Sequence, residues 1–569
     1  MIEKSLNIEN NISNYMEIIK GFPSTMMDDY QMNVTQILVH AARWYGEQEI
    51  VSRRSDGTIF RYNYAEALKR VKRMASSLKS LGIKVGDRIG VLEWNTHRFY
   101  ELYFSIPAIG AVMVELNPRL HPLQLAKIIN HSNISALILN ENFISLIESI
   151  LNNIKVRKYI IITDSNQLPS TKLDQVYNYE DLLNKGEVEY NIPMFDERTA
   201  CYAAYTTGTT GDPKGIYYSH RSIVLNTLVI SRNLTVDDTF MQLVPMFHVN
   251  GWLGFMAATL VGSKLVFPGR YTINDTEPLV SLLINEKVTV TAGVPEIFSA
   301  ILNYLMKMDK KPIFTNTRIL IGGSEPPLSL VIGLMGFGFQ VGQGYGATET
   351  TPSVAGSVLK PKVREKYTDK ELVDLLRKQG IPTFGVDIKV VDPITGNEVP
   401  HDGKTVGEIW VRGFWVASSY YNDPRTVESF VGDGIERWWK TGDLAVVDEL
   451  GYIKIVDRIK DVIKSGGEWI STIDLENYLM THPAVSEATV IGVPHPKWGE
   501  RPLAFVILRP EYEGKVNKED LLEYLGNKFA KWQLPDDIIF VKEIPKTSVG
   551  KFDKKVLREK YRDYFSKTK

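Results

Sequence analysis

The chain has 569 residues, 44% of them hydrophobic and 23% charged, the balance of an ordinary globular protein and more than one hydrophobic core normally supports. Lys and Arg number 66 against 67 Asp and Glu, a formal net charge of -1, so no global field favours nucleic acid or an anionic membrane. The single cysteine, Cys201, excludes an intramolecular disulfide and a cysteine metal cluster and points to a reducing, cytoplasmic setting. The polar start, Met1-Ile2-Glu3-Lys4, carries no secretory apolar segment, and the apolar run 102–114 is broken by Pro107 and Gly110 and is too short for a bilayer. A soluble protein without an integral membrane segment is expected.

After a polar, irregular start a helix is predicted over residues 34–45. Asn63 then caps an amphipathic helix whose Ala67, Val71, Met74, Leu78 and Leu81 recur at three- and four-residue steps, with a stop at Gly82. Strands at 88–92, 112–115 and 136–139 alternate with helices from Phe99 and over 122–130, the rhythm of a parallel sheet covered on both faces. Beyond residue 215 the rhythm resumes, with Ser222 expected to cap a helix from Ile223, strands at 264–267, 288–292 and 318–321, and helices over 277–285 and 295–306. Short alternating runs at 388–391, 408–412 and 452–456 read as a smaller antiparallel unit. A charged joint, Asp457-Arg458-Ile459-Lys460-Asp461, precedes a compact pattern of helices near 474–481 and 518–529 and strands at 488–492, 504–508 and 538–541. The expected fold is a large α/β N-terminal domain over 1–459, made of two α/β subdomains and a small antiparallel β unit, with a smaller mobile α+β C-terminal domain over 460–569 hinged at Lys460.

The densest chemical signal is Tyr205-Thr206-Thr207-Gly208-Thr209-Thr210-Gly211-Asp212-Pro213-Lys214-Gly215. Glycines let amides converge on an anion, threonines add hydroxyl donors, and the lysine adds a mobile charge. It is not a Walker loop, because Lys214 lies between Pro213 and Gly215 instead of preceding Ser or Thr at a helix start. Gly342-Gln343-Gly344-Tyr345-Gly346-Ala347 matches a dinucleotide turn in letters, yet Pro352 leaves no room for the crossover helix that such a turn needs.

Six segments stand in a telling order: 206–215, Gly344-Tyr345-Gly346-Ala347-Thr348-Glu349-Thr350, Thr441-Gly442-Asp443, 457–461, Gly466-Gly467-Glu468, and Pro545-Lys546-Thr547-Ser548-Val549-Gly550-Lys551. In that order and spacing the chain resembles the adenylate-forming superfamily. Phe22-Pro23-Ser24-Thr25-Met26-Met27, Asn117-Pro118-Arg119, Pro245-Met246-Phe247-His248-Val249-Asn250 and 465–471 resemble its acyl-CoA synthetase branch, particularly the medium- and long-chain fatty acyl-CoA ligases. The resemblance implies a two-step reaction with ATP, Mg2+ and coenzyme A: a carboxylate attacks the α-phosphate to give an acyl-adenylate and pyrophosphate, and the thiol of coenzyme A then displaces AMP.

It also implies roles. Thr206, Thr207, Gly208, Thr209, Thr210, Gly211 and Lys214 would cradle the β- and γ-phosphates, and Glu349 with Thr206 would hold Mg2+ against them. Tyr345, in Gln343-Gly344-Tyr345-Gly346 and followed by Thr348, would stack on adenine opposite Gly322, Gly323, Ser324, Glu325 and Pro326. Asp443 would take the ribose hydroxyls with Arg458 in support. Lys551 would meet the carboxylate and α-phosphate. Rotation about Lys460 would then bring Lys464, Gly466, Gly467 and Trp469 in for the thioester step. Lys551, Thr206, Lys214, His248 and Glu349 form the expected catalytic set, His248 acting by orientation or gating. The acyl pocket would comprise His248, Val249, Trp252, Gly323 and Gly346, and glycine at 346, where acetyl-CoA synthetases carry tryptophan, would leave it open.

A medium-chain acid is favoured on this reading; a short hydroxy acid such as 4-hydroxybutyrate would also fit. Transfer to a carrier protein, luciferase-like chemistry, or a non-catalytic nucleotide-binding scaffold are the alternatives, and residues 22–27 suggest a homodimer.

Overall fold

In the computed structural model, residues 18–165, 167–206, 212–466, 468–547 and 551–567 are described. The roles expected of Thr207, Gly208, Thr209, Thr210, Gly211 and Gly467 fall outside those residues.

Strands β1 (Glu49–Arg53) and β2 (Ile59–Asn63), absent from the predicted elements, form an antiparallel hairpin, and Asn63 caps the helix Tyr64–Ser80 as expected. Then come β3 (Arg88–Leu92), β4 (Val112–Glu115), β5 (Ile134–Asn140), β6 (Lys158–Ile162), β7 (Val176–Asn178), β8 (Ala200–Thr206) and β9 (Lys214–Ser219). They build a sheet ordered β7-β6-β5-β3-β4-β8-β9 that is parallel except at β9. Its strands are near-continuous aliphatic runs, such as the buried 137–139 and 160–162, because helices cover both faces. Cys201 is buried in β8, a core thiol whose pKa burial pushes up.

The helix after β9 is His220–Ser231, and Ser219 caps it by accepting the amide of Ser222 at 3.1 Å. Ser222, the expected cap, instead lies in the first turn and donates its hydroxyl to the Ser219 carbonyl at 2.9 Å.

Next are β10 (Thr239–Met241), β11 (Lys264–Phe267), β12 (Val290–Gly293), β13 (Arg318–Gly322), β14 (Gln340–Tyr345), β15 (Ala355–Gly356) and β16 (Ile381–Pro382). Their sheet runs β16-β15-β14-β13-β12-β10-β11-β1-β2. The N-terminal hairpin therefore belongs to the second sheet, with Ile50 of β1 paired in parallel to Leu265 of β11. Two consecutive halves were expected; the chain instead crosses between sheets, β1 pairing with β11 while its Ile50 and Val51, both 0% exposed, join the separate cores on the two faces of the second sheet.

The antiparallel unit is as expected: β17 (Val386–Val391), β18 (Gly407–Gly413), β19 (Phe430–Val431), β20 (Trp438–Val447) and β21 (Ile453–Arg458). A fourth sheet holds β22 (Ile463–Ser465), β23 (Glu468–Ile470), β24 (Val485–His495), β25 (Gly499–Leu508) and β26 (Asp537–Phe540), under the helices Thr472–Leu479 and Lys518–Gly526. This C-terminal domain has its own core, with Ile463, Leu475, Val490, Ala504 and Leu521 at its centre. Among the described residues no helix is long and apolar enough to cross a membrane.

Candidate active site

The glycine-rich loop joins two antiparallel strands, with Thr206 at the end of β8 paired to Lys214 at the start of β9. A strand follows it where a Walker loop would open a helix. Lys214 Nζ lies 4.3 Å from the centroid of the Tyr420 ring, and the Tyr420 hydroxyl donates to Glu349 Oε1 at 2.7 Å. Glu349 sits in the short turn Thr348–Thr350 and is buried. Burial raises its carboxyl above the ordinary range, opposed by the Tyr420 hydrogen bond and by the charges of Lys214 and Arg458. Burial also lowers the Lys214 ammonium, opposed by Glu349. For each group an opposite charge brought by a ligand, phosphate beside Lys214 and Mg2+ beside Glu349, would counter the effect of burial. Among the described residues no three His, Cys, Asp or Glu side chains gather to hold a metal alone. Glu349 fits a Mg2+ that arrives with phosphates as its other ligands, which is how that ion is commonly held.

At the end of β14 the Tyr345 hydroxyl donates to Asp443 Oδ2 at 2.7 Å, and Asp443 Oδ1 pairs with Arg458 Nε at 3.2 Å. Asp443 and Arg458 are cross-strand partners on β20 and β21, so strand register sets this triad. Gln343, two residues before Tyr345 and so on the same strand face, has a buried side-chain oxygen without a hydrogen-bond partner. An exocyclic amine of a stacked purine would satisfy it.

Lys551 is brought to the same place from the C-terminal domain. Its Cε would lie 3.6 Å from a Cβ placed on Gly323, whose φ of 89° suits glycine. Burial and the Arg458 guanidinium hold its ammonium at a pKa of about 8, against the pull of Asp443 and Glu296. Burial, with the nearby Lys551 charge, lowers the His248 imidazole to about 4, so it is neutral near pH 7. His248 Nδ1 accepts the Asn250 amide at 3.2 Å, leaving no free ring acceptor there for proton transfer.

One expectation changes. A Cβ on Gly346 would fall 1.4 Å from the Pro352 carbonyl oxygen, so glycine is required by the returning backbone and does not report an open pocket. Glu325 accepts from Arg377 at 2.8 Å and from Asn477 of the C-terminal domain at 3.3 Å, so its side chain is engaged between the two domains and what it can lend to a wall is backbone, in line with the expected wall of close-approaching backbone over 322–326. Val249 and Trp252 are buried, Trp252 against Tyr202 and Tyr218 at centroid distances of 5.5 and 4.9 Å.

The structure thus gathers Thr206, Lys214, His248, Gly323, Gln343, Tyr345, Glu349, Asp443, Arg458 and Lys551 around one junction. Lys460 lies exposed beyond β21, and Lys464, Gly466 and Trp469 are exposed on the β22–β23 hairpin. Three contributors carried no local sequence signal. Tyr420 links Lys214 to Glu349, Glu296 faces Lys551, and Asn95 pins the segment before His248 by donating to the Gln242 carbonyl at 2.8 Å and accepting the Met246 amide at 2.8 Å.

A family model described as AMP-binding enzyme matches residues 38–421, and one described as AMP-binding enzyme C-terminal domain matches 474–551. The chain belongs to the AMP-binding enzyme family, in its acyl-CoA synthetase branch. It is 44% identical to a long-chain-fatty-acid–CoA ligase of Thermus thermophilus over 96% of this chain and 99% of that one. It is 39% identical to a 3-methylmercaptopropionyl-CoA ligase of Ruegeria lacuscaerulensis over 93% and 97%. The crystal structure of the anthranilate CoA ligase AuaEII in complex with anthranoyl-AMP shares the fold, with a TM-score of 0.81 at 24% identity, covering 95% of this chain and 99% of that one. This ligase is an AMP-forming acyl-CoA ligase, an enzyme that uses ATP, and the junction described above is its candidate active site.

Proposed function

We propose that this ligase activates a medium-chain aliphatic acid in two steps, with Lys551 serving the first and the β22–β23 hairpin the second. The observation that carries this reading is the insertion of Lys551, from the C-terminal domain, between Gly323, His248 and the Asp443–Arg458 pair. A carboxylate oxygen attacks the α-phosphorus as the bond to pyrophosphate breaks, and negative charge builds on the phosphoryl oxygens where the Lys551 ammonium stands ready. Thr206 and Lys214, at the feet of the loop, bind the outgoing phosphates; Glu349 holds the Mg2+ they carry; Tyr345, Gln343 and Asp443 bind the nucleoside. Neutral His248 orients the acyl carboxylate. In the second step the thiol sulfur of coenzyme A attacks the acyl carbonyl, its proton is lost, and the bond to AMP breaks. Rotation about Lys460, at a boundary between 1–459 and 460–569, would replace Lys551 with Lys464, Gly466 and Trp469.

The medium-chain preference is supported by the apolar side chains Phe247, Val249 and Trp252 beside His248, and by relatives named for acids on either side of that length. An acid panel with ATP, Mg2+ and coenzyme A tests it: kcat/KM should peak between hexanoate and decanoate. A peak at acetate or hexadecanoate, or 4-hydroxybutyrate exceeding butyrate, would overturn it. The exposed apolar side chains near the N-terminus, Phe22 at 98% and Met27 at 85% exposure, support a homodimer in a reducing cytoplasm; a monomeric mass by sedimentation at micromolar concentration would exclude it.

A further inference from the structure

The first sheet carries a cavity of about 430 Å³ lined by none of the residues gathered around Lys551. Its position follows from topology. The connection from β3 leads to β4 on one side, and the next connection crosses back to β5 on the other, so the crevice at the carboxyl ends of β3 and β5 is the switch point of this parallel sheet. Residues just beyond those strand ends line the cavity and the narrow pocket adjoining it: His97 and Arg98 after β3, Asn140 ending β5, Thr163 and Asp164 after β6, and Asn178 ending β7. Open α/β sheets bind small ligands at this point.

The lining is dipolar. Arg70 is held by Glu101 at 2.7 Å and Glu180 at 3.0 Å, and Arg98 by Asp164 and Glu180, both at 2.7 Å. Arg70, Arg98, Asp164 and Glu180 of this network line the cavity. Arg54, on the wall formed by the β1–β2 hairpin, is different: its Nε is buried without a hydrogen-bond partner, and its guanidinium stands 5.1 Å over the Phe60 ring. A buried donor without a partner is unfavourable, which an acceptor bound at this guanidinium would relieve. His97 packs near the same ring at 4.4 Å, so Phe60 is already engaged and offers no ready platform for an aromatic ligand. On the facing wall, the helix Tyr179–Lys185 presents the exposed Asp181 and Asn184. Acceptors and donors side by side suit hydroxyl groups, which both give and accept hydrogen bonds.

We propose that this cleft binds a small hydroxyl-rich phosphate monoester, its phosphate on Arg54 and its hydroxyls on Asp181 and Asn184. A ligand there bridges the β1–β2 hairpin, which belongs to the second sheet, to a helix that covers the first.

Calorimetry on the full chain tests this, with the nucleotide site saturated by AMP and ribose 5-phosphate as probe. Saturable binding is expected, weakened roughly tenfold or more by Arg54→Ala, as loss of a charge-assisted partner predicts. Lys551→Ala should bind the probe as the wild type does. Asp181→Asn, on the exposed rim, should weaken ribose 5-phosphate and leave inorganic phosphate unchanged. ATP–pyrophosphate exchange at the wild-type rate shows that the Arg54 and Asp181 variants are folded. No saturable binding to the wild type, equal binding to Arg54→Ala, or loss in Lys551→Ala alone would overturn the proposal. Ribose binding as tightly as its phosphate would remove the role of Arg54; inorganic phosphate binding as tightly as the ester would remove that of Asp181 and Asn184.

Discussion

Two charge clusters, one within the N-terminal fold and one where the C-terminal domain meets it, treat their cations in opposite ways. In the Arg70–Glu101–Glu180–Arg98–Asp164 network each arginine meets two carboxylates at 2.7–3.0 Å, and both guanidinium groups are held more firmly charged than usual. At the Lys551 junction Lys551 and Lys214 are pulled below their ordinary pKa and Glu349 above its own, because burial outweighs the neighbouring charges. Saturated pairs build structure. Groups whose charge is incompletely repaid by the protein are poised to be repaid by a substrate.

The contrast can be broken at either end. Glu101 is 0% exposed, and Glu101→Ala should lower the unfolding free energy by about 3 kcal/mol, since it takes one of two carboxylates from Arg70 and the acceptor from the buried Tyr179 hydroxyl. Denaturant titration reads this directly, and a loss too small to measure would mean that the network is solvated. Lys551→Ala should slow acyl-adenylate formation roughly a hundred- to a thousandfold while leaving stability and thioester formation from supplied acyl-adenylate near wild type. Equal loss in both half-reactions would remove the division of labour between the domains. The pH profile sharpens the same point. Lys551 is protonated below a pKa of about 8, so kcat/KM for ATP should hold up to that pH and then fall by about tenfold per unit above it. Trp469→Ala should raise KM for coenzyme A roughly tenfold without touching ATP–pyrophosphate exchange. Smallest of all, N-ethylmaleimide should leave native activity unchanged, because the one thiol, Cys201, is buried and its pKa is raised.

Sequence periodicity located the sheet interiors well. The strands at 88–92, 112–115 and 264–267 and the helix at 277–285 stand where the apolar spacing put them. What it could not supply is which strands pair. The β1–β2 hairpin was missed because charged and polar residues such as Arg53 and Arg61 interrupt its apolar positions, and its place in the second sheet depends on β11, some two hundred residues on. The saturated network was invisible for the same reason, its partners lying 31–110 residues apart. At the candidate site the motif residues were legible, whereas Tyr420, Asn95 and Glu296 act through contacts that no local pattern announces. Glycine at 346 reads as empty space in the sequence because a missing side chain looks the same there whether solvent, ligand or backbone fills the gap.

That crowded glycine bears on how such an enzyme could change its diet. With the Pro352 carbonyl oxygen 1.4 Å from where a Cβ would sit, no side chain enters at position 346 until the 348–353 turn is rebuilt. If position 346 borders the acyl site as proposed, a single Gly346→Trp substitution would meet main chain before it could plug that site. On the acyl pocket proposed above, chain length would have to be retuned through the buried side chains of Val249 and Trp252, because Gly251 between them is itself closed by main chain, a Cβ there falling 2.5 Å from the Pro245 carbonyl oxygen.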